Sequence, residues 1–243
     1  MPKSPTYSPL TLAEMRAIVA RTLRDTDGAV FGTDALNDFI IEGLAGMSGY
    51  RPIEAIESLT YDPVNYGDVQ YIEPAVLTYI WQVVATNDNV VTELSSSGVL
   101  PYGNPGESAL SNGWDFYSGR VWLGRWLVSR LDAWNAQAGV PLTITLYGYR
   151  DRLLPDATAD ANYLDLEDAV DQLCLTRECR ALGFQLLNND RALYQQWLAA
   201  TNNTDVSPTQ LNGMLNGAVS DVERQRKRSA IYRRSPVIGP QYV

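Results

Sequence analysis

Val76-Leu77-Thr78-Tyr79-Ile80-Trp81-Gln82-Val83-Val84 departs from the helical periodicity of the chain before Glu54. Its β-branched and aromatic side chains suit a pleated, largely buried strand, not the one-sided apolar stripe of a surface helix. Residues 58–61 (Ser-Leu-Thr-Tyr), 69–72 (Val-Gln-Tyr-Ile) and 90–94 (Val-Val-Thr-Glu-Leu) share that texture, separated by Asp-Pro, Tyr-Gly and Asn-Asp turn signals. It returns in Asp115-Phe116-Tyr117, Arg120-Val121-Trp122-Leu123 and Leu142-Thr143-Ile144-Thr145-Leu146-Tyr147-Gly148-Tyr149. A small antiparallel sandwich is therefore expected across residues 54–155. Within it, residues 98–113, with Pro101, Gly103, Pro105 and Gly106, read as a long loop of the kind that makes contacts.

On either side of this block the period is helical. Thr11 and Glu14 have the spacing of a capping box, and Leu12, Met15, Ile18 (or Val19) and Leu23 follow on one stripe, which predicts a helix over 11–24. After Asp25-Thr26-Asp27-Gly28, Thr33 is expected to cap a second helix carrying Leu36, Phe39, Ile40, Leu44 and Met47, ended by Gly46, Gly49 and Pro52. The two make a helical hairpin whose apolar faces need a further helix to cover them. Helical spacing resumes near Asp165 with Leu166, Ala169, Val170, Leu173, Leu182 and Leu186. It breaks at Asn188-Asn189-Asp190 and at 202–208, and carries on through Leu193 and Trp197, then Leu211, Met214, Leu215 and Val222. The fold class predicted is α+β: a helical bundle made of residues 1–53 and 156–222, an inserted antiparallel β-sandwich-like domain at 54–155, and an extended basic C-terminal arm at 223–243. Pro2, Pro5 and Pro9 suit an extended N-terminal arm.

With 243 residues, 45% of them hydrophobic, the chain can bury a substantial core. No apolar run approaches 18 residues and no charged-then-apolar leader opens the sequence, so a protein made and kept in a cytoplasm, without a membrane partner, is expected. There are no histidines, which removes Ser-His and Cys-His nucleophile pairs. Cys174 and Cys179 sit roughly 140° apart on a helix and should not pair. Two cysteines without histidine also fall short of a structural zinc site. Asp165, Glu167, Asp168 and Asp171 are best explained by the dipole at a helix start, although Asp168 and Asp171 share a face. Asp25, Asp27 and Gly28 fail as a calcium loop, because Leu36 stands where the last ligand should be. Neither Ser118-Gly119 nor Gly103-Asn104-Pro105-Gly106 has the pattern of a phosphate cradle. No catalytic residue, cofactor or metal is expected, and the reading is of a non-enzyme.

The net charge of −9 is uneven. Residues 223–234 hold six basic residues against the single Glu223, a local +5 that leaves −14 for the rest. An acidic body repels duplex phosphates, whereas the tail can attract an acidic protein partner. The candidate docking residues are Arg224, Arg226, Lys227, Arg228, Tyr232, Arg233, Arg234, Val237, Ile238 and Tyr242. The 14 tyrosines and six tryptophans are the other enrichment, with Trp114, Trp122, Trp126 and Trp134 near enough in sequence to form one cluster. Packing is the favoured role for these rings; a carbohydrate-binding or host-recognition face is the alternative.

The order of these patterns resembles the head-to-tail adaptor proteins of tailed bacteriophages. The residues carrying the resemblance are Thr11-Leu12-Ala13-Glu14-Met15-Arg16 and the hairpin it opens, Val121-Trp122-Leu123 and Leu142 to Arg150 in the inserted sheet, and Leu193-Tyr194-Gln195-Gln196-Trp197-Leu198. The resemblance implies a twelve-copy homo-oligomeric ring in the virion neck, docked on the portal protein ring through C-terminal segments and joined to a tail or nozzle protein. It implies no catalytic residues. Packaged DNA would pass through an acidic channel without specific binding, since few basic side chains are there to displace its counterions. A protomer that is largely monomeric until it meets its template is expected.

Overall fold

In the computed structural model residues 8–61, 70–87, 90–96, 112–137, 141–157, 160–201 and 206–233 are described, with backbone alone for Gln70 and for residues 229–233. Helix α1 (Leu12–Thr22) starts at the expected capping box: the Glu14 backbone N–H donates to the Thr11 hydroxyl at 3.3 Å, and the Thr11 backbone N–H donates to Glu14 at 2.8 Å. These bonds hold the exposed Glu14 carboxyl below the ordinary carboxylate range. A lowered carboxyl stabilises the fold above its unfolded-state pKa, and that stability drains as pH falls through the lowered folded value. Acid titration of Glu14→Gln should therefore show a shallower loss of stability than the parent in that window; identical curves would remove the cap from the account.

Helix α2 (Thr33–Ser48) corrects one expectation. Its N-cap is Gly32, with no side-chain bond, and Thr33 is already the first helical residue. The turn between the helices is organised by buried Asp25, whose carboxylate accepts the backbone N–H groups of Val30 and Phe31.

The chain divides into two compact units, one of Met1–Pro52 with Arg152–Val243 and one of Ile53–Asp151. The first is helical. It contains α1, α2, α4 (Ala169–Asn189), α5 (Arg191–Ala200) and α6 (Pro208–Arg233). Its core joins Leu12, Met15 and Val19 of α1 and Ile40, Leu44 and Met47 of α2 to Leu175, Cys179 and Phe184 of α4, with Trp197 and Leu211. Each such buried side chain contributes about 1.5–3 kcal/mol. Gly43 allows the close contact of α2 with α4, since a Cβ there would lie 2.8 Å from Leu175 Cδ1. Both cysteines are buried and free.

The second unit holds two antiparallel sheets. Strands β1 (Ile53–Thr60), β7 (Thr143–Arg150), β3 (Tyr79–Asn87) and β4 (Val90–Leu94) form one, in the order β1-β7-β3-β4. Strands β2 (Gln70–Ile72), β6 (Arg120–Leu123) and β5 (Trp114–Tyr117) form the other, in the order β2-β6-β5. Ser118 and Gly119, both at positive φ, make the two-residue turn between β5 and β6. A helix not anticipated from the aromatic texture, α3 (Arg125–Gln137), lays Leu127 and Leu131 into the same core as Val83, Ile144, Leu146, Val121 and Leu123. The long loop expected at 98–113 lies almost wholly outside the described residues, as does the N-terminal arm before Ser8.

The extended arm expected from residue 223 is not extended at its start: residues 223–233 are the last three turns of α6. Ser207 and Gln210 bond reciprocally at the head of this helix, with Pro208 in its first position, a second capping box. Leu211, Ala218, Val222 and Gln225 continue one buried stripe past the expected end.

Candidate functional site

Two polar constellations stand out in the helical unit. The first is a buried ion network where the chain leaves and re-enters the unit. Asp171, in the first turn of α4, has no solvent exposure, and its carboxylate receives Arg152 Nη1 at 2.9 Å, Arg51 Nε and the Glu167 backbone N–H at 2.9 Å. Arg152, also fully buried, donates to the Asp165 carbonyl at 2.6 Å and through Nε and Nη2 to the Arg51 carbonyl. Asp168 is the N-cap of α4 and takes Arg51 Nη2 at 2.9 Å. Burial and the neighbouring Asp171 charge push the Glu167 carboxyl up. The acidic run read from the sequence as a dipole effect is thus also a clamp on two arginines, which helical spacing could not show because Arg51 lies more than a hundred residues away and Arg152 precedes the helix across an irregular segment.

The second constellation is a groove of about 410 Å³ between α4 and α6. Val170, Leu173, Cys174 and Arg177 line it at helical spacing from α4, and Asp221, Arg224, Gln225 and Arg228 at the same spacing from α6. Arg51 closes one side, so four guanidinium groups face the groove against one carboxylate. Arg177 donates to Gln225 at 3.0 Å, and Arg224 pairs with Asp221 at 3.1 Å across one helical turn. Val170 and Leu173 are half exposed there.

The candidate docking residues fall into different settings. Arg224, Lys227 and Arg228 are exposed on α6, and among the described residues neither Lys227 nor Arg228 makes an ion pair. Arg226 is also exposed, but its guanidinium is engaged: it pairs with Glu178 at 3.2 Å and lies over the Tyr50 ring. That pair stands beside the Gln225 side chain, which donates to the Tyr50 hydroxyl at 3.1 Å. Burial and Glu178 push the Tyr50 phenol up, keeping it neutral. Tyr232 and Arg233 are helical in backbone, and Arg234, Val237, Ile238 and Tyr242 lie outside the described residues.

The four tryptophans do not form one cluster: Trp114 and Trp134 join the core of the β-rich unit, and Trp122 and Trp126 do not. Trp114 is buried and donates to the Leu94 carbonyl at 2.7 Å, while Trp122 tilts against Tyr71 and donates to the Tyr117 carbonyl. Trp126 projects from α3 with 59% exposure, and Trp134 is half-buried. The exposed rings of the larger sheet are Tyr79 and Trp81, set against Tyr149 and Tyr147.

No family model matches this chain, and no curated protein matches it. Among the described residues there is no grouping of carboxylates and thiols able to hold a metal ion, and no helix long and apolar enough to cross a membrane. The polar features that the helical unit presents to solvent include a basic helix end and an arginine-rimmed groove.

Proposed function

We propose that this protein is a structural component of a tailed-bacteriophage virion: a head-to-tail adaptor that docks on the portal ring in about twelve copies, extends the DNA channel and meets a tail or nozzle protein. The observation that supports the reading is the composition of the helical unit. Helices from both ends of the chain close on a single core, the β-rich unit is inserted between them, and the last helix exposes Arg224, Lys227 and Arg228 on that body. A large sheet unit inserted in a helical body is what a ring protomer needs if one part is to meet the portal and another the tail. The acidic remainder of the chain favours passage of DNA without adhesion.

In this reading the docking segment is the end of α6 together with the residues beyond it: Lys227, Tyr232, Arg233, Arg234, Val237, Ile238 and Tyr242. Gln225 and Arg226 belong to the helical unit, so the informative truncation falls after Arg228. Removal of residues 229–243 is expected to leave the far-ultraviolet spectrum of the remaining chain intact and to abolish co-sedimentation with assembled portal rings. Undiminished docking would overturn the assignment of the tail.

A second reading draws on exposed Trp81 and partly buried Tyr147, whose ring centroids are 5.9 Å apart on the larger sheet. Such a platform suits sugar rings, and it uses other residues than Trp114, Trp122 or Trp126. Glycan-array binding that disappears in Trp81→Ala would favour this carbohydrate-recognition role over the adaptor.

A further inference from the structure

The groove between α4 and α6 has a counterpart on the same unit. Helix α2 exposes Asp34, Asp38 and Glu42 at four-residue intervals, with half-buried Ile41 and exposed Ala45 beside them, and carries no basic residue anywhere along its length. No hydrogen bond or ion pair engages these three carboxylates among the described residues. A helix face with acids at i, i+4 and i+8 and apolar side chains at i+7 and i+11 is the complement of a trough whose floor is Val170 and Leu173 and whose rim is Arg177, Arg224 and Arg228.

We infer that the groove of one protomer receives α2 of a second copy of this chain. Within one protomer α2 cannot occupy it. Gly43 and its neighbours press α2 against Leu175, Glu178 and Cys179, a face of α4 different from the one carrying Val170, Leu173 and Arg177. Donor and acceptor patches are therefore distinct surfaces of one unit, so the contact can repeat head to tail from copy to copy, closing as a ring where the rotation allows. The inference deepens the adaptor reading and rests on it only for closure into a ring; the contact itself is measurable without a portal.

Exposed ion pairs are weak one at a time and screened by salt. The lone protomer should accordingly be mostly monomeric in dilute solution, with the contact captured by cross-linking at high concentration. Full-length Glu42→Cys and full-length Arg228→Cys, mixed and oxidised, are expected to form the mixed disulfide about tenfold faster than Arg21→Cys (an exposed position on α1) mixed with Arg228→Cys, with the excess removed by molar salt. Charge reversal supplies the second arm. Arg224→Glu with Arg228→Glu, and separately Asp34→Lys with Asp38→Lys and Glu42→Lys, should each lose concentration-dependent self-association in sedimentation equilibrium. Mixing the two reversed proteins should restore it, because each then offers the other a complementary pair of surfaces. A mixed disulfide no faster than the control, or reversed variants that fail to rescue one another while remaining folded, overturns the proposal. If the groove reversal instead abolishes portal co-sedimentation with no effect on self-association, the occupant is an acidic portal segment and the second copy is excluded. Undiminished portal docking after truncation at Arg228 with the cross-link intact is failure of the adaptor reading alone, whereas lost docking with no excess cross-link is failure of this contact alone.

Discussion

Asp171→Ala is expected to lower the stability of the helical unit by about 3–5 kcal/mol, the range found when one partner of a buried ion network is removed. The reason lies in what the substitution leaves behind. Arg152 has no solvent exposure, and its remaining partners are the neutral carbonyls of Arg51 and Asp165. Arg51 would keep only the half-exposed Asp168. One buried guanidinium would lose the only carboxylate it pairs with among the described residues, and the Glu167 backbone N–H would lose its acceptor as well. Against a total of about 5–15 kcal/mol for an ordinary domain, that loss approaches global unfolding. Urea unfolding followed by far-ultraviolet circular dichroism should show a lower midpoint at unchanged slope. Asp168→Ala is the control: it removes an N-cap on a half-exposed residue and should cost about 1 kcal/mol. If both variants cost the same, the network is not shielded from water and the clamp adds nothing beyond the cap.

The contrast between these two aspartates shows what local sequence carries. A cap involves residues three apart, so Thr11 with Glu14 was readable, and the change of period at Glu54 falls within a residue of Ile53, where the β-rich unit begins. The α+β class follows from those periods. Helix α3 escaped because its Leu127, Leu131 and Trp134 are embedded in a run of aromatic residues whose texture matches strands; the four-and-three spacing was present but outweighed. Thr33 failed as a cap because the Gly32 backbone turns into the helix one residue earlier and leaves its hydroxyl without a role there.

The tail was misread for a different reason. Gln225 is polar, and counting it as an exposed residue ends the apolar stripe of α6 at Val222. It is buried because Arg177 and Tyr50 satisfy its side-chain amide, and that pairing carries the helix onward to Arg233. The same logic reassigns Arg226, which net charge placed on the docking surface and Glu178 draws back to the body. Charge counting located the basic segment but could not divide it between groove, core and free end. That division depends on which faces of α4 and α6 meet, and residues 170–177 and 221–228 acquire a shared trough only in three dimensions.

Gly148→Ala should damage the β-rich unit, at or above the upper end of the about 1–3 kcal/mol typical of overpacking. Gly148 lies in β7, between β1 and β3, and a Cβ built on it would fall 2.0 Å from the Tyr79 carbonyl oxygen. The obstacle is backbone, and it cannot give way by a rotamer change. Tyr79 pairs with Tyr149 beside the irregularity between Ile80 and Gln82, and the Thr78 N–H donates to the Tyr149 carbonyl at 2.8 Å, so moving the carbonyl away disturbs the ladder on both sides. The stacked Tyr79 and Tyr149 rings sit over the same point, so the near-ultraviolet dichroism should change along with the melting temperature. The same substitution at Gly213 reverses the sign. That residue lies within α6 with nothing within 4 Å of its Cβ position, and alanine there should stabilise by about 0.5–1 kcal/mol through helix propensity. A neutral Gly148→Ala would mean that β3 and β7 do not approach in this register, and the exposed rings Tyr79 and Trp81 would then have no fixed place on the sheet.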